Sequence, residues 1–186
     1  MARLLVEETY SFDVERPYIR QSCQNRTKIR LPDRCHWLTV PVKKREKGTP
    51  LSEIEIDYNY PWLQDHLKGL KYNYATAPYY DHFIPSLSQL LQKEFELLHE
   101  LTTETVNWAV QVGGLNTRFQ GDASILKGSN AHLNSHEPSE SHTIRTQQNG
   151  PAVIQPYRQN FPGFHPGAGI LDLLFNHGPA AVTYLG

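Results

Sequence analysis

The sequence has few of the residues that mark specialised classes of protein. It holds only two cysteines, Cys23 and Cys35, among 186 residues, too few for a disulfide framework or a four-ligand zinc site. No apolar run reaches the roughly 18 residues that span a bilayer. Residues 1–10 lack the basic start and apolar stretch of a secretory signal. We therefore expect a cytoplasmic protein with reduced thiols and no membrane span.

Known catalytic and metal-binding signatures are missing as well. The chain contains no P-loop, GxGxxG, GxSxG, CxxC or HExxH pattern. His132, His136 and His142 lie in a polar stretch, residues 127–150, that is rich in Gly, Ser and Asn. We predict no metal site there. The motifs do not identify a cofactor. The stretch has too few apolar groups to order itself by burial, which predicts a flexible insert in a single domain of residues 1–186.

Positive and negative charges nearly balance over the whole chain, but they are unevenly distributed along it. The net charge of −1 and the pI of 6.7 exclude a globally basic nucleic-acid binder. Residues 16–47 carry a net charge of +8, whereas residues 1–15 carry −3 and residues 48–186 carry −6. A short basic segment in an otherwise acidic chain is compatible with an anionic small molecule as the partner.

The basic segment is typical of β-strands, in which alternate residues share one face. Arg26, Lys28 and Arg30 would then point the same way and repel one another. One interpretation is a solvated edge strand, since such edges often carry lysine. The other is a cradle in which these cations and Asn25 hold a phosphate or a carboxylate.

Helical periodicity follows the basic segment. Apolar residues recur at spacings of four, three and four from Leu63 to Tyr74, which predicts an amphipathic helix. Pro78 ends that helix, because the residue before a proline avoids the helical region. Residues 85–112 predict two further helices with a break at residues 93–96, where charged residues interrupt the apolar stripe.

His66 is the candidate general base. It flanks the apolar stripe of the first predicted helix. An unperturbed histidine pKa of about 6.5 suits proton transfer near neutrality. The alternative is a hydrogen-bonded histidine at the edge of the core.

Asp172 is the second candidate catalytic group. It is the one charged residue in residues 170–176, which are apolar on nearly every side and predict a short buried helix. Gly178 and Pro179 supply its stop signal. A buried carboxylate must be paired or hydrogen-bonded. Asp172 is therefore either a structural group or a residue that anchors the basic strand or orients a catalytic partner.

Several short segments follow one another in a recognisable order along residues 18–180, with a gap at 121–150. They are CQNRTKI at 23–29, WLTVPV at 37–42, IEID at 54–57, Trp62 with His66, APYY at 77–80, Tyr157, Gln159, Phe164, Pro166, ILDLLFN at 170–176 and GP at 178–179. Together these segments resemble the WbqC-like protein family.

The resemblance implies an α/β, Rossmann-like protein with a mostly parallel sheet flanked by helices. Members are often encoded with genes for surface polysaccharides, and one has been proposed to transfer glycine to an amino sugar. This implies a transferase that acts on a nucleotide-activated sugar or an aminoacyl group, with Tyr157 and Gln159 in the substrate site beside the basic residues. The alternative is a non-catalytic binding or assembly protein with an interface of tyrosines. Those tyrosines are Tyr72, Tyr74, Tyr79 and Tyr80.

The chain departs from the family pattern in three places. The opening Gln-Pro, Tyr, Pro-Trp and Gly-Tyr-Phe motif is absent, so we expect the chain to lack the family's first strand-helix unit. A Rossmann-like site often follows that strand, so its loss would remove a common ligand position. The polar stretch at 127–150 replaces a Gly/Ser-containing segment. Gly169 stands where a serine is usual, which removes one hydroxyl. Substrate, reaction and oligomeric state stay open.

Overall fold

Four helices and a β-hairpin are the main elements of the computed structural model, which describes residues 9–10, 13–114, 118–119 and 155–184. Two short 3₁₀ helices, Leu51–Glu53 and Gly178–Tyr184, accompany them. The remaining elements, in chain order, are β1 (Thr9–Tyr10), β2 (Arg26–Arg30), β3 (Cys35–Thr39), α1 (Trp62–Tyr74), α2 (Tyr80–Leu91), α3 (Leu98–Val112), β4 (Arg118–Phe119) and α4 (Ile170–His177).

Strands β2 and β3 form the antiparallel hairpin. The register pairs Lys28 with Trp37 and Arg30 with Cys35. Directly opposed residues of such a pair share one face of the sheet. The three cations of β2 therefore lie on the face that carries Trp37, whereas Ile29 is buried on the other face.

The α/β class is confirmed, but the mostly parallel Rossmann-like sheet is not present in the residues that the structure describes. Parallel pairing there is confined to two residues each of β1 and β4. The outer edge of β2 does not continue into a sheet because helices take its hydrogen bonds. The Arg30 N–H donates to Tyr74 Oη at 2.7 Å, and the Lys28 carbonyl accepts from the Gly169 N–H at 2.9 Å. A further strand would need those same groups.

The helix predictions agree with the structure except at one boundary. Helix α1 buries Leu70 and Tyr74 and ends before the Ala77-Pro78 step, as predicted. Helices α2 and α3 are separated by a break at residues 92–97. Helix α2 begins earlier than predicted, at Tyr80, whose ring packs against Phe175 with a centroid distance of 5.4 Å. That contact fixes the first turn and leaves Pro85 inside the helix.

The core lies between the hairpin and the four helices. Helix α4 is central to it, because it contacts β2, α2 and α3. None of the helices in the described ranges has the length and apolar character that a bilayer crossing requires. The predicted insert at 127–150 lies outside the described residues, and the single domain stays a prediction. The largest fully buried side chains include Ile29, Ile54, Ile56, Leu70, Tyr74, Leu98, Leu173, Leu174 and Phe175.

Candidate functional site

Asp172 lies at the centre of a buried hydrogen-bond network. Its side chain is 0% exposed, in the first turn of α4. One carboxylate oxygen accepts from Tyr74 Oη at 2.8 Å and the other from Tyr157 Oη at 2.6 Å. Tyr74 Oη in turn accepts from the Arg30 N–H. The carboxylate therefore ties α4 to α1, to β2 and to the segment around residue 157, which is the geometry of a structural group.

The ionisation of this network follows from its burial. Burial raises the pKa of Asp172, while hydrogen bonds from Tyr157 and Tyr74 and the charge of Arg30 oppose that rise. Burial also raises the pKa of both tyrosine hydroxyls, and the nearby carboxylate adds to the effect. Both tyrosines therefore keep their protons and act as donors to Asp172.

The raised pKa of Asp172 predicts a pH-dependent difference from an Asp172→Asn variant. At a pH below the ordinary pKa of aspartate, the carboxyl is protonated in both the folded and the unfolded chain. Its contribution to the free energy of unfolding is then fully present. As pH rises through the folded-state pKa, ionisation at the buried site lowers the free energy of unfolding. We expect urea titrations to show wild type gaining stability relative to Asp172→Asn between pH 7 and pH 4.5. A difference that shifts the other way contradicts the burial argument.

Arg30 is a buried cation satisfied mainly by backbone carbonyls. It is 2% exposed, and the described residues place no carboxylate within ion-pair distance of it. Its guanidinium donates to the carbonyl oxygens of Leu31, Arg34 and Pro162 and lies 5.9 Å from the Phe161 ring centroid. These contacts hold residues 161–162 against the hairpin.

Arg26 and Lys28 share one aromatic ring. Arg26 Cζ lies 4.0 Å and Lys28 Nζ 4.7 Å from the centroid of Trp37, within cation–π range. Arg26 also donates to the Gln21 carbonyl. In the described part of the chain, neither side chain has a carboxylate within 4.0 Å. Both side chains are half-buried, so the solvated-edge interpretation does not fit. Two cations without a counter-charge are suited to an anion.

A cavity of about 620 Å³ lies between the hairpin and the helices. Ligand pockets usually measure about 300–1,000 Å³. Its lining includes five of the predicted site residues, which the fold thus brings together. Arg30, Gln159 and Asp172 are not part of the described lining. The five are Asn25, Arg26, Lys28, His66 and Tyr157.

Asn25 lines this cavity and holds a buried acceptor that is unused. The residue is 8% exposed, and its Nδ2 donates to the Val40 carbonyl at 2.9 Å. Its Oδ1 is buried and has no hydrogen-bond partner in the structure as described. A buried acceptor without a donor is costly, about 1–3 kcal/mol. A donor on a bound molecule would remove that cost.

His66 has the protonation state that a general base needs. Its Nε2 lies 3.1 Å from the Thr39 carbonyl oxygen, which can only accept, so Nε2 carries the proton. Burial lowers the pKa of His66, although the bond to Thr39 opposes this. The ring is therefore neutral near pH 7, with its lone pair on Nδ1. Thr39 pairs with Arg26 in the hairpin, which places His66 at the same end of the cavity.

Gln159 closes a loop. Its Nε2 donates to the His165 carbonyl at 3.1 Å, and its Oε1 accepts from the His165 N–H at 2.8 Å. The loop brings His165 Nδ1 to 3.9 Å from Cys35 Sγ. Burial raises the pKa of the Cys35 thiol, although Lys28 and Arg30 oppose it. The thiol therefore stays protonated and does not form an activated Cys–His pair.

Two residues of this region were not predicted from the sequence as parts of a site, namely Trp37 and Tyr74. The sequence predicts only that Trp37 lies in the strand-forming basic segment and that Tyr74 lies in an apolar stripe or an interface. Their roles depend on the strand register and on helix packing, so no sequence motif marks them. The predicted tyrosine interface does not form as one surface: Tyr72 is 85% exposed, whereas Tyr74 and Tyr80 are buried.

Metal ligation has no support within the described ranges, where no three His, Cys, Asp or Glu side chains are grouped to hold an ion. The three histidines of the polar stretch lie outside those ranges.

Comparisons with known proteins identify the family of the chain and a distant relative. The model of the WbqC-like protein family matches residues 6–148. The uncharacterised protein Rv1507c of Mycobacterium tuberculosis is 25% identical over 207 residues, an alignment that covers 97% of this chain and 88% of that protein. No solved structure matches the chain.

Proposed function

This chain belongs to the WbqC-like protein family, and from that premise we propose that it is a transferase in surface-polysaccharide biosynthesis. Its substrate is a nucleotide-activated sugar or an aminoacyl group. One observation carries this: Arg26, Lys28 and His66 line the same cavity, and neither cation has a carboxylate partner in the described residues. An anion site can stabilise a negatively charged leaving group, and a neighbouring neutral imidazole can accept a proton from the acceptor. Group transfer needs these two functions.

The anion is held by Arg26 and Lys28. A diphosphate or carboxylate accepts hydrogen bonds from the guanidinium and the ammonium, which are the groups that bind such oxygens best. Trp37 fixes the directions of both cations through its ring. Negative charge that develops on a leaving diphosphate is stabilised at this position.

His66 removes the proton of the acceptor. Nδ1 takes the proton from an acceptor hydroxyl or amine as its oxygen or nitrogen bonds to the activated carbon. For a nucleotide-sugar, the bond from that carbon to the diphosphate oxygen breaks, and its electron pair stays on the diphosphate. The Thr39 carbonyl holds Nε2–H and orients the ring throughout.

Three further predicted site residues, Arg30, Gln159 and Asp172, are not in the described cavity lining and support its wall. Arg30 and Asp172 hold β2 against α1 and α4, and Gln159 shapes the loop at residues 159–165. Tyr157 lines the cavity while donating to Asp172, so it is a positioning residue for the substrate. Cys23 and Cys35 are free thiols, which favours the cytoplasm as the place of the reaction.

Binding of UDP-glucose, as a representative nucleotide-sugar, tests the anion site. At 100 times its Kd the ligand stabilises the fold by about 2.7 kcal/mol, which corresponds to roughly 5–10 °C in Tm for a chain of this length. Arg26→Gln removes a charge-assisted hydrogen bond worth about 1.5–3 kcal/mol, so we expect Kd to rise at least about tenfold. Thermal shift and isothermal titration measure both effects.

Arg20→Gln is the matched control, because Arg20 is exposed in the same basic segment and is not part of the described cavity lining. Its Kd should equal that of wild type. An unchanged affinity in Arg26→Gln would remove the anion cradle. No shift with nucleotide-sugars, sugar phosphates or amino acids would favour the non-catalytic binding or assembly protein instead.

A further inference from the structure

The cavity is apolar away from the hairpin. Helices α2, α3 and α4 supply its walls there, and the side chains are aliphatic or aromatic. Nothing charged faces this part from the described helices. The residues involved include Leu87, Leu91, Leu101, Val106, Trp108 and Leu173.

The few polar groups on these walls are paired within the protein. Thr102 Oγ1 donates to the Leu98 carbonyl and Thr105 Oγ1 to the Leu101 carbonyl, each at 2.9 Å. Trp108 Nε1 donates to a serine hydroxyl of α2 at 2.9 Å. Both threonine hydroxyls therefore donate their hydrogen bonds to carbonyls of their own helix. Water would find few partners here, and an apolar cavity of this kind favours an apolar occupant.

The hairpin end of the cavity has the opposite character. Asn25 Oδ1 and Arg26 Nε are buried polar atoms without hydrogen-bond partners in the described structure. Lys28 adds a second cation at the same end. One end thus holds two cations and buried polar atoms without partners, while the other end is apolar.

We propose that this cavity binds an acyl amphiphile: an anionic group, a neighbouring N–H or O–H, and a hydrocarbon chain. The anion contacts Arg26 and Lys28, the donor bonds to Asn25 Oδ1, and the chain runs between α2, α3 and α4. This proposal rests on the proposed function, because the amphiphile uses the same anion site. One of the two substrates of the transfer would then carry an acyl chain.

Four related probes separate these contacts in isothermal titrations kept below micellar concentrations. N-dodecanoylglycine has the carboxylate, the N–H and the chain. N-acetylglycine lacks the chain, N-dodecanoylsarcosine lacks the N–H, and N-dodecanoylglycine methyl ester lacks the charge. We expect N-dodecanoylglycine to bind once per chain. N-acetylglycine should bind more than 100-fold more weakly, since each buried methylene is worth roughly fourfold. The other two should bind about tenfold more weakly.

A cavity-filling substitution tests the location. Val106→Phe extends a side chain of α3 that lines the cavity, and we expect it to weaken N-dodecanoylglycine binding at least tenfold. Val112→Phe is the matched control, since Val112 is equally half-buried on α3 but is not in the described lining. If Val106→Phe does not fold, the Kd of wild type is measured for N-acylglycines with chains of six to twelve carbons. A Kd that does not change with chain length overturns the proposal.

The outcomes separate this inference from the function proposed above. UDP-glucose binding that depends on Arg26, with no binding of N-dodecanoylglycine, overturns the amphiphile alone. Binding of N-dodecanoylglycine that responds to all three deletions, without any nucleotide-sugar binding, supports the amphiphile and removes the nucleotide-sugar. Equal affinity for the acid, the sarcosine analogue and the methyl ester shows an unspecific apolar cavity and overturns the proposal.

Discussion

Replacing Asp172 with leucine lowers the free energy of unfolding by about 4 kcal/mol, since each buried hydroxyl left without an acceptor costs about 1–3 kcal/mol. The two hydroxyls are those of Tyr74 and Tyr157, which donate to the two carboxylate oxygens. Leucine is similar in size, so packing changes little and the lost hydrogen bonds dominate. Urea unfolding measures the loss, and Tm should fall by roughly 10 °C.

Two further variants show whether the network is the cause. Asp172→Asn keeps one oxygen acceptor and should cost about half as much at neutral pH. Asp65→Asn changes an exposed carboxylate of α1 and should stay within about 0.5 kcal/mol of wild type. If Asp172→Leu were as stable as Asp65→Asn, the carboxylate would not be a structural group, and a direct role in the reaction would become the better account.

Gly169→Ala destabilises the chain by about 1–3 kcal/mol or more, because it forces atoms into an occupied space. A Cβ at Gly169 would lie 2.6 Å from the Lys28 carbonyl oxygen and 2.7 Å from Thr27 Oγ1. The nearer atom belongs to the backbone of β2 and accepts the Gly169 N–H, so it cannot move without breaking that bond. Thermal and urea unfolding should both show the loss.

Gly167→Ala is the control for this substitution. Its Cβ would meet only ordinary contacts, at 3.8 Å from Lys28 Nζ and 3.9 Å from Cys35 Sγ, so we expect a change of about 0.5 kcal/mol or less. A tolerated Gly169→Ala would mean that α4 sits further from β2 than described. Gly169→Ser should behave as Gly169→Ala does, although a serine is usual at this place in the resemblance. The close approach of β2, through the Lys28 carbonyl and the Thr27 side chain, explains the glycine.

Local elements were predictable from the sequence because their signals are local. The apolar spacing from Leu63 to Tyr74 gave α1, and the apolar run at 170–176 gave α4. Alternation in the basic segment indicated β2, and the aromatic and β-branched residues of 36–42 indicated β3. The sheet was not predictable in the same way. Whether β2 gains another strand depends on Tyr74 and Gly169, which are distant in sequence and reach its edge only after packing.

The candidate site was predictable in residue type but not in arrangement. Basic residues at alternate positions identified Arg26 and Lys28 as candidates, because a local excess of positive charge can be read from a sequence. The contacts with Trp37 need the register of β2 with β3, because that register brings the ring within reach of both cations. The apolar end of the cavity could not be seen, since leucines that line a cavity and leucines that fill a core have the same spacing.

The hydrogen bonds on the outer edge of β2 have a consequence for folding. Arg30 bonds to a tyrosine 44 residues away, and that tyrosine bonds to an aspartate 98 residues further on. Contacts so distant in sequence slow folding, because long loops must close first. Until α1 and α4 dock, the Arg30 amide and the Lys28 carbonyl form an open strand edge, which other chains can pair with. Docking of both helices against β2 thus protects the newly made chain from aggregation.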